Sequence, residues 1–425
     1  MKTMRLLLIS GLMLSAVLPG ARGDQFRTDI NPALVYYRAF LVAPAPISDA
    51  DRAYLASKKG RELPLPERFG PILAGFDNQF GLVRQAAHAT VPCDWGIDLS
   101  PGPNILLPHL ARAKAVAQAA QWRAAWALQH GWEADAREDL QAAFVLGRNT
   151  ASDHFLIGAL VQFAIETLNY GTVAQSFGEF SPETLKQSVD EFDAAPARQT
   201  IADCMPGEKL GFCDWMLRRI QELQKAHPND DSQVMAGFRE SGIVMATDFV
   251  GYTNFWPRLI AASGGTSEGV VRLLREEEPL FPRLARIMAL PQPEYETEAR
   301  RFLGDIRQSQ NPFFTLLHSY FTGFVLGGQR HRVRAREFRV QAELAMVHAA
   351  VAYKLRGDAG LKNVRDPFGN GPFSFRRFVF KGVDRGFELR SAYARTDAPF
   401  VMIFVEKRGL AFHVIGPEAG QAITQ

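Results

Sequence analysis

The chain has 425 residues, of which 47% are hydrophobic and 22% charged, with a formal net charge of +3. This composition excludes a disordered, collagen-like or disulfide-dense chain, and the length exceeds what one hydrophobic core usually fills. Two or three structural units are therefore expected, and a near-neutral balance excludes a general nucleic-acid binder.

Residues 1–23 read as a secretory signal. Lys2 and Arg5 give a positive start, and the thirteen residues Leu6–Leu18 carry no charge. Pro19-Gly20 breaks the run, and Ala21-Arg22-Gly23 places small residues at a cut before Asp24. Thirteen residues are too few for a membrane span, which needs roughly 20. Removing 23 of the 425 residues leaves 402, takes away Lys2, Arg5 and Arg22, and brings the net charge to zero. A periplasmic or secreted location follows as the expectation, with no transmembrane segment in the mature chain.

Residues 24–104 are expected to be an irregular, Pro-rich segment packed on the rest. Asn31-Pro32 opens one helix through Tyr36, Tyr37 and Phe40. Pro64, Pro66, Pro71, Pro92, Pro101 and Pro103 exclude long regular elements after it. Residues 105–329 form a helical body. Its first helix runs from Pro108 to His130, with Leu110, Ala113, Ala117, Ala120, Ala124 and Leu128 in one stripe. Gly131 turns the chain into a second helix, Trp132–Leu146, with Ala136, Leu140, Ala143 and Gly147 on one face. Further helices are expected over 153–170, from Ser181-Pro182-Glu183 to before Pro196, and over 208–226, 233–248, 267–276, 280–289 and 294–309.

Residues 330–425 change period. A long helix over 334–356 precedes an alternating pattern that starts at Phe373 and continues in Phe387–Ala392, Phe400–Val405 and Ala411–Ile415, with turns at Gly386 and Lys407-Arg408-Gly409. The predicted fold class is mostly α: an irregular array of antiparallel helices with a small C-terminal antiparallel β appendage. The charge is split. Residues 330–425 hold 17 Lys and Arg against 9 Asp and Glu, a net +8, so residues 24–329 carry −8. Two halves with complementary fields account for this, and an anionic partner is the alternative.

Motifs with chemistry are few. The nine histidines are scattered, without HExxH or paired CxxC, so no metal or cofactor is expected. SxxK and P-loop patterns are absent from the sequence. Candidate binding residues are Cys93, Asp94, Trp95 and His109, because the Cys93-Asp94-Trp95-Gly96 loop sits in a Pro-Gly-rich stretch able to line a cleft. The second candidate set is Arg330, Arg332, Arg334 and Arg336, with His331 and Arg339, able to grip an anion or to pair with the acidic body. Cys204 and Cys213 are close enough in sequence for a local disulfide in an exported chain. Gly131, Ala136, Leu140 and Ala143 have tetratricopeptide spacing, but Ala127 replaces the expected aromatic and no second copy follows.

Taken together, Cys93-Asp94-Trp95-Gly96, Leu107-Pro108-His109-Leu110, the hairpin 124–147 and Ala164-Ile165-Glu166 resemble a group of uncharacterised exported bacterial helical proteins. The C-terminal Tyr353 and Asp366-Pro367-Phe368-Gly369 turn is similar to the same group. That turn also resembles the end of type II secretion pseudopilins, although the apolar N-terminal stem helix of pseudopilins is missing. The resemblance implies no activity. The expectation is a non-catalytic envelope binding protein, with a possible envelope protein or anionic ligand as partner. The alternative is an envelope or extracellular hydrolase whose site lies near the CDWG loop.

Overall fold

The computed structural model describes residues 27–57, 64–243, 254–320, 333–394, 399–407, 412–416 and 418–422. Residues 1–23, Arg330, His331, Arg332, Arg408 and Gly409 lie outside the described residues. The fold is mostly helical, with a three-stranded antiparallel sheet at the C-terminal end.

The N-terminal segment is more regular than its prolines suggest. It contains α1 (Pro32–Leu41), α2 (Asp49–Ala56), α3 (Phe69–Ala74) and α4 (Asp77–Ala87). The expectation of a single helix here is corrected. The prolines fall between these helices or in their first turns, where no intrahelical N–H is needed. They limit helix length but do not prevent helices. Asn31 caps α1, its side-chain oxygen accepting from Ala33 N, and Ser48 caps α2 from Asp51 N.

The body opens with the hairpin α5 (Pro108–Gln129) and α6 (Glu133–Asn149), joined through Gly131 at φ +77°. Ala113, Ala117, Ala120 and Ala124 are all buried, so small side chains let α6 lie close. α7 (Leu156–Gln175) packs on both, and a Cβ at Gly147 would meet Ile165 at 2.7 Å. α8 (Pro182–Ala194) starts at the Ser181 cap as the sequence predicts.

The helix expected over 208–226 is two helices, α9 (Ile201–Gly211) and α10 (Cys213–Ala226). Thr200 and Asp203 form a reciprocal capping box that starts α9 earlier, and the chain breaks at Phe212. Then follow α11 (Asp231–Phe238), α12 (Phe255–Ser263), α13 (Ser267–Glu277), α14 (Leu280–Met288), α15 (Gln292–Arg307) and α16 (Pro312–Tyr320). α16 has no counterpart in the sequence reading. α17 (Val333–Lys362) is the long helix, interrupted at Gly357, where φ is +60°.

The sheet comprises β1 (Ser374–Phe380), β2 (Val383–Ala394) and β3 (Pro399–Val405) in the order β1-β2-β3. Lys381 and Gly382, both at positive φ, make the two-residue turn between β1 and β2. Gly386 is not a turn. It lies inside β2, where a Cβ would meet Phe404 O at 2.0 Å, beside an irregularity in the β1 register. Asp366 of the DPF-G turn is buried. Its carboxylate accepts from Phe368 N at 3.0 Å and Ser391 Oγ at 2.8 Å, as well as from Ala392 N, and so fixes the turn to β2.

One face of the sheet packs on α7 and α17 through Phe177, Tyr353, Phe387 and Phe404, which belong to the main core or pack against it. The other face gathers Phe378, Ile403, Val405 and Phe412. A second core joins α1, α4, α5 and α6 around Trp95. Among the described residues, no helix is long and apolar enough to cross a membrane.

Candidate functional site

The CDWG loop is held from both sides. Asn31 Nδ2 donates to Asp94 O at 2.7 Å, and Asn31 Oδ1 accepts from Asp94 N at 3.1 Å. Asp94 Oδ1 accepts from Gly96 N at 2.9 Å, closing a local turn at Gly96, where φ is +64°. Trp95 then enters the second core. Its Nε1–H donates to Asn149 O at 2.7 Å, and its ring lies between Tyr36, at 5.7 Å, and His109, at 4.3 Å.

His109 is 1% exposed at the start of α5. Its Nε2 is 3.9 Å from Asp153 Oδ2, in the turn between α6 and α7. The loop and this turn therefore bring Cys93, His109, Ser152 and Asp153 together. The next residue, His154, sits at φ +59°, an uncommon conformation for a side chain with a Cβ. Both ring nitrogens of His109, Ser152 Oγ and Asp153 Oδ2 make no hydrogen bond within the chain.

The protonation states follow from burial. Burial pushes the Cys93 thiol up to about 12, the Ser152 hydroxyl opposing and the Asp153 and Asp94 carboxylates adding to the rise. Burial lowers His109 to about 4, with the Thr150 backbone opposing. Burial raises Asp153 to about 6, helped by the Asp94 charge. At neutral pH the thiol is protonated and the imidazole neutral. A protonated thiol is a weak nucleophile, and a ring with so low a pKa is a weak base. The cluster positions no activated nucleophile.

The sequence offered Cys93, Asp94, Trp95 and His109 as the lining of a cleft; the structure brings them near one another but buries Trp95 and His109 in the interior. It missed Ser152 and Asp153. A Ser-Asp-His turn between two helices reads as ordinary punctuation, and its approach to a loop 60 residues earlier leaves no local signal.

Within the described part of the arginine set, Arg334 and Arg339 are already engaged inside the fold. Arg334 is buried, with Nη1 2.5 Å from Glu337 Oε1 and Nη2 donating to Leu290 O at 3.1 Å. Arg339 pairs with Glu343 at 2.7 Å, and Thr167 Oγ1 donates to the same carboxylate. Both guanidiniums are therefore spent on carboxylates of their own helix, not on the acidic body. Arg336 is exposed. Cys204 and Cys213 are not bonded to each other. The Cys204 thiol turns back to Thr200 O and the Cys213 thiol to Leu274 O, so the break at Phe212 sends them to different partners.

An open trough of about 650 Å³ lies between α10 and α13, lined by Gln221, Gln224, Glu268, Val271, Arg272, Arg275 and Glu276. Among the described residues, no group of three or more His, Cys, Asp and Glu side chains is arranged to hold a metal ion. No protein-family model, no curated protein and no solved structure matches the chain.

Proposed function

We propose that the chain is a non-catalytic binding protein of the bacterial cell envelope, periplasmic or secreted after loss of residues 1–23. It would belong to the exported helical group that its CDWG, LPHL and DPF-G elements resemble. The observation that carries the reading is the trough between α10 and α13. Its walls set amides, carboxylates and guanidiniums around Val271, with Arg272 paired to Glu276 at 3.1 Å, which suits a partner segment carrying both polar and apolar side chains. The test is a photo-cross-linking residue in place of Val271, exposed to envelope extract, with the adduct identified by mass spectrometry. A defined adduct that disappears when Arg275→Glu is added supports the reading. Adduct formation equal to that of a control placed at Arg301 would sink it.

A second reading, a hydrolase with its site at the CDWG loop, has one observation in its favour. His109 and Asp153 bear buried atoms without hydrogen bonds beside Cys93, and perturbed titratable groups gather at active sites. Hydrolysis of envelope glycan or peptide substrates that is lost in both Cys93→Ser and Asp153→Asn would establish it in place of the binding reading.

A further inference from the structure

The first residue of a helix boundary is usually polar, because Ser, Thr, Asp or Asn there accepts from a free backbone N–H. At the start of α6 that position is Trp132, whose side chain makes no capping bond and is 51% exposed. The indole is nevertheless held in place. It stacks on His130 with centroids 4.9 Å apart, and His130 lies 4.3 Å from Trp126. His130 Nδ1–H donates to Trp126 O at 2.8 Å. Trp126 in turn packs against Gly70, where a Cβ would come within 2.9 Å of its ring. Gln129 ties the end of α5 to Leu65 through both backbone groups, at 2.6 and 3.0 Å. The three rings therefore form a rigid column, and Trp132 is its exposed end.

Two polar groups stand beside the column. With Nδ1 donating to Trp126 O, Nε2 is the ring nitrogen left for a ligand, and it lies 4.0 Å from the Glu67 carboxylate, which is 84% exposed. A ligand that fits needs a flat apolar face for the indole and two neighbouring donors at its rim. A pyranose has both: axial C–H groups on one face and adjacent ring hydroxyls at the edge. A simple cation would be drawn to Glu67 and the indole, but it supplies no extended flat face and leaves Nε2 unused.

We infer that the Trp126–His130–Trp132 column with Glu67 is a carbohydrate-binding platform, on which a pyranose stacks on Trp132 and hydrogen-bonds through adjacent hydroxyls to the Glu67 carboxylate and His130 Nε2. This site is separate from the trough and does not depend on it. The test is an NMR titration of the purified chain with maltotriose, chitotriose and a galactose trisaccharide, following the indole N–H signals of its six tryptophans. A saturable shift of the Trp132 signal with at least one sugar is expected, with Trp95 and Trp215 unmoved. Trp132→Ala should weaken that binding at least about tenfold, as loss of a stacking ring does, and Trp132→Phe should retain part of it. Glu67→Gln alters a solvated side chain, so the fold is kept, and it should weaken binding severalfold. Absence of a saturable Trp132 shift with all three sugars overturns the inference. A Trp132 shift with lysine methyl ester and none with the sugars would overturn it in favour of a cationic partner.

Discussion

Burying His109 against Trp95 has a proton cost, and Asp153 offsets it. The His109 pKa falls from 6.5 to about 4. The folded state resists a proton that the unfolded chain accepts, so this group removes stability as pH falls from 6.5 to 4. The Asp153 pKa rises from 3.8 to about 6. The folded state takes that proton first, so this group adds stability as pH falls from 6 to 3.8. Each effect is about 3 kcal/mol, and over pH 4–6 they oppose. Burial is the first cause of both displacements, so either survives removal of the other group. Asp153→Asn should therefore make the urea midpoint fall between pH 6.5 and 4, whereas His109→Gln should make it rise over the same range. Parallel profiles for the two variants would contradict the assignment. Glu277 gives a second residue-scale prediction. It is fully buried on α13, neither carboxylate oxygen has a hydrogen bond within the chain, and burial raises it to about 8. A raised carboxyl removes stability as pH climbs from 4.5 to 8, so Glu277→Gln should stabilise the protein at pH 8 by a few kcal/mol and flatten that part of the profile. The sequence showed only an acidic run, Glu276-Glu277-Glu278, which reads as a solvated helix end. Burial of one of three adjacent acids depends on what packs against that turn of α13, and no local pattern encodes it.

Helices were legible wherever a cap and a stripe coincided. Ser181-Pro182 and Pro108 with its alanine stripe mark boundaries through local chemistry that tertiary packing leaves in place. The misses have a common physical cause. The start of α9 depends on a capping box at Thr200, hidden because Pro206 follows inside the helix. The turn between β1 and β2 uses Lys381 at φ +51°, a conformation in which lysine gives no sequence signal. Lys381→Asn should relieve that strain and raise stability by ~0.5–1 kcal/mol, read as a higher thermal midpoint. On α7, Glu166 is fully buried between Arg148 at 2.8 Å and Arg198 at 2.6 Å, so three elements meet at one carboxylate. Glu166→Gln would leave two guanidiniums without their charge partner and should cost about 3–5 kcal/mol in chemical denaturation. A loss below about 1 kcal/mol would show that the network is not a structural tie.

At the scale of the whole molecule, the N-terminal segment is pinned to distant helices at a few tight points. Gly102, at φ +60°, lies under Trp215 of α10, where a Cβ would come within 2.3 Å of the indole, and Trp215 Nε1–H donates to Ser100 O at 2.9 Å. Gly102→Ala should destabilise by about 2 kcal/mol and loosen residues 93–104 before the body in hydrogen exchange. The charge split between residues 24–329 and 330–425 pointed to two halves joined by opposite fields. In the structure most described ion pairs of the C-terminal part close on themselves, as in Arg376–Glu388, Arg377–Asp384 and Arg339–Glu343. His348 with Asp193, at 3.1 Å, does reach the body. The joint is made by side chains of the main core, among them Phe177 against Phe387 and Phe404. Net charge over a long segment counts residues without regard to distance, so it could not separate these cases.

The three unbonded thiols lie in different elements: Cys93 half-buried in the loop, Cys204 buried inside α9 and Cys213 buried at the start of α10. Burial raises the pKa of each, so alkylation of the native state is slow and must wait for an opening. A timed pulse of thiol reagent followed by mass spectrometry would then date three separate events in one molecule: release of the loop, fraying of α9, and parting of α10 from α13. The chain carries its own clocks, one in the half-buried loop and two in the interior.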